Sequence, residues 1–378
     1  MKLIHICPDE KFIDDAIAQL DSYKNIESLY FILLRYSESR YVKTIKQNVV
    51  FFRSQKSLIS KIKKDYPNCI VVLHGLCINL IYLSTLKQPI ILCCWGAEIY
   101  SDIRSKRKNA IQLELYKPET RILFYESDRI LKKIKDLMKY FLGYYYLRNR
   151  LYFKFFEKVV AVSTVYPEEF KMLPVSGKLY FPFHYTNPRL IDPIFIEKKD
   201  IFSSCPRVMV GNSLDPTNNH IDILKKINAL GEDIEVLLPI CYGGKANYKE
   251  SLKRRIAKLT HIRPIYIETF LKKEEYFKQV NQCCAIIMGH IRQQAVGNID
   301  WALHNGFDVY MYKDSINYNH YKKIDCVIHS IDDDLARILS KEGLSVSEQK
   351  HNFDIITNYC NYNKYYDSMV KFFNECTL

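Results

Sequence analysis

Short apolar runs rich in β-branched residues alternate with amphipathic stretches along the first half of the chain, at residues 3–6, 29–34, 49–52, 70–73, 90–94 and 159–162. Near-continuous apolar runs read as strands covered on both faces, with the amphipathic spacers as the covering helices, so a parallel sheet is predicted. Residues 179–183 add a last strand. The second half repeats the alternation, with strands near Val208, Val236, Ile265, Ile286, Val309 and Val327, each followed by a helical segment. Between the halves, residues 188–204 carry Pro188, Pro193 and the polar Glu197-Lys198-Lys199-Asp200, which mark a linker. Residues 352–373 read as one terminal helix rich in Tyr and Asn.

A length of 378 residues exceeds one ordinary core and fits two α/β domains. The pattern divides the chain into a first domain at 1–187, a second at 206–341 and a terminal helical segment at 342–378, of the kind that crosses back onto the first domain. No charged leader precedes an apolar segment, and no apolar run is long enough to span a bilayer, so a cytoplasmic protein, peripheral on the inner face of the membrane, is expected. The 12 cysteines sit singly or as neighbours inside apolar strands (Cys93-Cys94, Cys283-Cys284), without a CxxC pair. They read as reduced core residues rather than disulfides or zinc ligands.

A formal charge of +13 calls for an acidic partner: nucleic acid, an anionic membrane or a phosphorylated substrate. Its distribution narrows the choice. Residues 129–158 hold nine Lys or Arg, nine Tyr or Phe, only Asp136 and Glu157 as acids, and no proline. Ile130, Ile134, Leu137 and Phe141 share one helical face, and Lys132, Asp136 and Lys139 another, which fits either a core-facing helix or one lying among anionic head groups through Lys132, Lys133, Lys135, Lys139 and Phe141. No helix-turn-helix, zinc finger or ribonucleoprotein motif accompanies the charge, so nucleic acid is not expected as a partner.

Two loops carry the candidate chemistry. Behind the apolar 207–210 comes Gly211-Asn212-Ser213-Leu214-Asp215-Pro216-Thr217-Asn218-Asn219-His220, and behind 284–288 comes Gly289-His290-Ile291-Arg292-Gln293-Gln294-Ala295-Val296-Gly297-Asn298. Each is a strand-to-loop-to-helix junction dense in turn formers and polar donors, suited to an anion such as a pyrophosphate. Gly211, Asn212, Ser213, Arg292, Gln293, Gln294, Gly297 and Asn298 are its candidate ligands, with Arg292 as the charge partner of the phosphates. Leucine at 214 argues against a left-handed backbone there. Thr269 and Phe270, ending the strand at 265–267, are placed at a nucleotide base, and 238–244 is a further strand end able to wall the pocket. In the first half, Glu98 follows the apolar 90–94 within Trp95-Gly96-Ala97-Glu98, where glycine permits a tight turn. It is the candidate general base, with His74 at another strand end as its rival. Asp332-Asp333-Asp334 reads as an acidic helix start rather than a metal motif, and no metal or other cofactor is expected.

His74-Gly75, Trp95-Gly96-Ala97-Glu98-Ile99-Tyr100, Leu179-Tyr180-Phe181-Pro182, Val210-Gly211-Asn212-Ser213, Asn218-Asn219-His220 and Arg292-Gln293-Gln294, in this order, resemble the motifs of the TDP-N-acetylfucosamine:lipid II N-acetylfucosaminyltransferases, glycosyltransferase family 56. This chain has Glu98 where that family usually has Asp, Leu214 for Gly and Asn219 for Glu. The resemblance implies an α/β protein of GT-B architecture, two Rossmann-like domains facing a central cleft, the second holding a TDP-sugar donor and the first a polyprenyl-diphosphate-linked saccharide acceptor. It implies a hexosyltransferase of surface polysaccharide biosynthesis that moves a 4-acetamido-deoxyhexose such as N-acetylfucosamine. A nucleotide-sugar 2-epimerase of the same fold and a non-enzymatic binding protein are the other readings.

Overall fold

The computed structural model describes residues 2–23, 26–100, 114–127, 138, 142–185, 206–340 and 343–375. It packs as two units: Met1–Ala110, Met138–Pro188 and Cys360–Leu378 form the first, and Ile111–Leu137 and Arg189–Tyr359 the second.

The first unit is built on seven parallel strands: β1 Lys2–Pro8, β2 Glu27–Leu33, β3 Val49–Phe52, β4 Ile70–His74, β5 Ile90–Cys93, β6 Val159–Ser163 and β7 Leu179–Tyr180. They lie in the order β3-β2-β1-β4-β5-β6-β7, with Leu3 opposite both Ser28 and Ile70. Around them run α1 Ile13–Asp21, α2 Gln55–Asp65, α3 Leu80–Leu83, α4 Ala97–Tyr100 and, after residues of the second unit, α6 Tyr144–Phe156. Strand β5, and β4 up to His74 at its end, are apolar, and both strands are buried along their whole length, as strands covered on both faces must be. The strand read at 179–183 is only two residues long. Beyond Tyr180 the buried Phe181 and Phe183 continue as irregular chain.

The second unit has six parallel strands: β8 Arg207–Val210, β9 Ile234–Pro239, β10 Ile262–Ile267, β11 Ala285–Met288, β12 Asp308–Met311 and β13 His329–Ser330, in the order β10-β9-β8-β11-β12-β13. Pro264, which cannot donate to a ladder, sits in the edge strand β10. The helices are α5 Pro118–Ser127, α7 His220–Asn228, α8 Ala246–Ile256, α9 Lys273–Val280, α10 Val296–His304, α11 Ile316–Lys323 and α12 Val346–Tyr359. Helix α5, expected with the first domain, is held here instead. Both carboxylate oxygens of Asp222 accept from Glu119 and Thr120 N–H at 2.9 Å, and Leu123 is buried in this unit's core.

The terminal segment is two helices rather than one, because the chain breaks at Cys360 and Asn361. Helix α13 Tyr362–Glu375 belongs to the first unit, where Met369 and Phe372 enter the core and the Tyr366 ring stacks 4.7 Å from Tyr23. Burying two such side chains is worth about 3–6 kcal/mol.

Candidate functional site

In both sheets the strand order reverses direction between the first and fourth strands, β1 and β4 in one unit and β8 and β11 in the other. Open α/β sheets bind ligands beyond the carboxyl ends of the strands at that switch point.

In the second unit the two polar loops singled out by the sequence follow β8 and β11 and therefore flank its switch point. Gly211 adopts φ +71°, and a Cβ there would lie 2.6 Å from Asn218 Oδ1 and 2.7 Å from His220 Nε2, so the loop closes only over a glycine. The fully buried Asn218 organises it, accepting from Asn212 N–H at 2.9 Å and donating to Asp215 O at 2.9 Å and Ser213 Oγ at 3.2 Å. Asn219, with φ +53°, donates to Gly289 O at 2.7 Å and Leu115 O at 3.1 Å and accepts from Lys117 N–H, joining both loops to the segment before α5. Gly289 allows the close approach, since a Cβ there would be 2.5 Å from Asn218 O.

The main-chain N–H groups of Gly211 and Asn212 are thus used inside the protein, the first by Ile287 O and the second by Asn218. What Asn212 has left to offer an anion is its side chain. Leu214 is buried and, as its side chain requires, is not left-handed. Gln294 ties the loops together: its Oε1 lies 2.6 Å from the Thr217 hydroxyl, its Nε2 3.5 Å from Asn212 Oδ1, and its carbonyl accepts from Asn317 at 3.1 Å. Ala295, φ +61°, starts α10, so Gly297 and Asn298 lie in its first turn, where Gly297 is exposed and a Cβ would meet only open space. Gln293 and Arg292 are half-buried on the same loop, and Arg292 has no ion-pair partner among the described residues.

Two buried histidines back these loops. Burial holds His220 down at about 4, and burial together with Arg292 and His220 holds His290 well below the ordinary imidazole range. Both are neutral at pH 7, so Arg292 is the only formal positive charge the two loops bring to the switch point.

Beyond the neighbouring strands, Tyr242 follows β9 and Thr269 and Phe270 follow β10, all three exposed. The acidic triplet is dispersed: Asp332 pairs with Lys226, Asp333 with Lys313, and Asp334 Oδ2 accepts from Ser330 N–H. It precedes a short 3-10 turn, Leu335–Leu339, rather than an α-helix.

In the first unit, His74 ends β4 beside the switch point and is locked on both sides. Its Nε2 lies 3.1 Å from His5 Nδ1 and its Nδ1 2.5 Å from the Tyr185 hydroxyl, while burial pushes its pKa down to about 3. Glu98 lies in the first turn of α4, after a chain reversal at Gly96 with φ +100°. Its Oε1 accepts from Leu76 N–H at 2.6 Å and its Oε2 from Trp95 N–H at 2.9 Å, so it staples the loop after β4 to the loop after β5. Burial raises its pKa, and main-chain N–H donors offset part of that rise. Glu98 and His74 are each 1 % exposed. Phe12, Trp95 and Tyr185 pack edge to face around the same strand ends, with ring centroids 4.7–5.8 Å apart. Lys132, Lys133, Lys135, Lys139 and Phe141, named for membrane contact, lie outside the described residues, as does the linker at 188–204.

Sequence reasoning passed over Asn218 as the organiser of the loop and His5 and Tyr185 as the partners of His74, and it named 238–244 as a wall of the pocket without singling out Tyr242. The usable signal was the Asn218-Asn219 pair in a loop behind an apolar strand, since amides there commonly bond to the surrounding main chain, as both do here.

The family model described as 4-alpha-L-fucosyltransferase, glycosyl transferase group 56, matches residues 135–319, the family that the motifs resemble. Among curated proteins no match is found. Solved structures similar to this chain include a glycosyltransferase from Rickettsia africae, 12 % identical with TM-score 0.60 over 99 % of this chain and 98 % of the other. Anabaena HepE in complex with UDP is 10 % identical with TM-score 0.61 over the whole of both chains. Sucrose-phosphate synthase from Thermosynechococcus elongatus is 10 % identical with TM-score 0.59 over 99 % and 98 %. At such identities the likeness is one of fold, the GT-B fold of two Rossmann-like domains.

Proposed function

We propose that this chain, a glycosyltransferase whose residues 135–319 match group 56, moves a 4-acetamido-deoxyhexose such as N-acetylfucosamine from a TDP-sugar to a polyprenyl-diphosphate-linked saccharide. The observation that carries the donor part is the switch point of the second unit. Two loops cross-linked through Gln294 bring Arg292, unpaired by any described carboxylate, to the same switch point as the Asn212 amide and the first turn of α10. A guanidinium fork and a helix N-terminus suit a diphosphate, and stabilising the departing nucleoside diphosphate is the electrostatic task of glycosyl transfer. The HepE structure is a complex with UDP, which supports a nucleoside diphosphate as the ligand class.

The acceptor is assigned to the first unit, with Glu98 as the base and the Phe12, Trp95 and Tyr185 rings as apolar faces for a sugar. A carboxyl raised by burial is a better proton acceptor near neutrality than an ordinary one. No metal enters this reading, because Arg292 and the loop donors supply the charge stabilisation.

Delivery of the acceptor from a membrane is supported by α6. Tyr146, Leu147 and Phe153 are 65 %, 57 % and 45 % exposed, and Arg150 and Lys154 are exposed on the same helical face, while Tyr152, Phe155 and Phe156 are buried. An exposed aromatic face edged by cations fits an anionic interface. Among the described residues no helix is long and apolar enough to cross a membrane. Mass spectrometry of products from a panel of TDP-, UDP- and GDP-sugars with a polyprenyl-diphosphate saccharide tests the reading. A mass increment of one acetamido-deoxyhexose from the TDP donor supports it, and epimerised donor without an extended acceptor refutes it.

A further inference from the structure

Tyr242 and Phe270 stand out on the ligand edge of the second unit because they are large aromatic rings left exposed there. Tyr242 is 49 % exposed and Phe270 69 %. They lie just past the ends of the adjacent strands β9 and β10, their ring centroids are 6.4 Å apart, and their planes are inclined by 53°. Neither ring is set by chance. Leu214 N–H donates to Tyr242 O at 2.7 Å, fixing the tyrosine backbone to the loop after β8. Gly243, φ +93°, and Gly244 then press into that loop: a Cβ at 243 would be 3.2 Å from Asp215 N, and one at 244 would be 2.5 Å from Leu214 Cγ. The Tyr242 hydroxyl lies 3.4 Å from Asn212 Nδ2, which ties the ring to the residue placed at the diphosphate.

We infer that Tyr242 is a binding residue for the donor: the nucleobase stacks on the Tyr242 ring, the inclined Phe270 ring borders it as the second side of an angled aromatic clamp, and the tyrosine hydroxyl end borders the diphosphate subsite. The inference rests on the donor reading above and deepens it. A flat, polarisable base is the part of a nucleoside diphosphate sugar that two exposed rings recognise, because each ring gains dispersion and quadrupole contact with a π-face. Sugar and phosphate present no such face. The clamp selects for a base as such, and stacking alone does not separate one pyrimidine from another.

Calorimetric titration of wild type, Tyr242→Ala and Tyr242→Phe with TDP and with inorganic pyrophosphate tests the clamp. Stacking on one ring predicts TDP binding about tenfold or more weaker in Tyr242→Ala. Pyrophosphate affinity is expected unchanged, and Tyr242→Phe to keep most of the TDP affinity. Equal TDP affinity in Tyr242→Ala, or a loss of TDP and pyrophosphate in the same proportion, overturns the clamp while leaving the donor site standing. Wild type that binds neither TDP nor UDP overturns the donor reading, and the clamp with it. As a second readout independent of folding losses, Tyr242→Trp is expected to lose indole emission with TDP and not with pyrophosphate. Quenching no greater than in wild type contradicts the stack.

Discussion

Replacing Glu98 by glutamine separates two roles of one buried carboxylate. Each oxygen accepts one main-chain N–H, from Leu76 at 2.6 Å and from Trp95 at 2.9 Å. Glutamine supplies one oxygen and one NH2, so one of these N–H groups meets another donor, and a buried unsatisfied donor costs about 1–3 kcal/mol. The charge removed was itself raised in energy by burial, so the net loss at pH 7 is expected near the low end of that range. The sign with pH follows from the raised folded pKa. Glu98 is protonated at acid pH, where its own hydroxyl becomes a donor facing the same N–H groups, so the penalty of Glu98→Gln shrinks as pH falls through the raised value. Urea unfolding at pH 7 and pH 4 measures this. Chemistry is read separately, by single turnover with saturating donor on protein shown to be folded. If Glu98 is the base, the rate falls on the order of a hundredfold while donor affinity stays nearly constant. A variant as stable as wild type at pH 7 refutes the staple. A stable or unstable variant that keeps its single-turnover rate refutes the base, and if His74→Ala then abolishes turnover, the imidazole takes that role.

Further outcomes are open to direct measurement. Gly211→Ala places a methyl 2.6 Å from Asn218 Oδ1 in a left-handed residue, so a loss of about 2–4 kcal/mol in urea unfolding is expected, and a loss under about 1 kcal/mol contradicts the loop geometry. Burial raises Asp300 to about 7 while the Tyr321 hydroxyl, 2.6 Å away, opposes the rise. A raised carboxyl contributes stability that is full below the unfolded pKa and is lost as pH climbs to about 7. Asp300→Asn is therefore expected to gain on wild type by on the order of a few kcal/mol between pH 4 and pH 8, and parallel pH–stability curves would exclude this. Liposome sedimentation is expected to show binding to anionic vesicles that high salt reverses and that falls by roughly 1 kcal/mol per charge when Lys132, Lys133 and Lys135 become Gln. Equal binding to neutral vesicles contradicts the electrostatic part.

The sheet architecture was legible because the central strands carry unbroken apolar runs, 70–73 and 90–93 in the first unit and 285–288 in the second. Both switch-point loops were legible for a related reason: turn formers and amides behind a buried strand have few other uses. The assignment of α5 to the second unit was not, since it depends on two N–H bonds to Asp222, a residue about 100 positions away. Nor was the break at Cys360 and Asn361, where neither Pro nor Gly marks the end of a helix. At the candidate base the type of residue could be read but not its surroundings. Pattern places Glu98 at a strand end, while the N–H groups that occupy its oxygens come from loop backbone, which carries no side-chain signature.

The central claim is that the switch-point loops of the second unit hold the donor's diphosphate, and Arg292→Ala tests it most directly. Calorimetric titration of TDP into wild type and variant at one salt concentration should show a loss of about 1.5–3 kcal/mol, tenfold or more in Kd, the worth of a charge-assisted hydrogen bond. Unchanged affinity would place the diphosphate elsewhere and contradict the account.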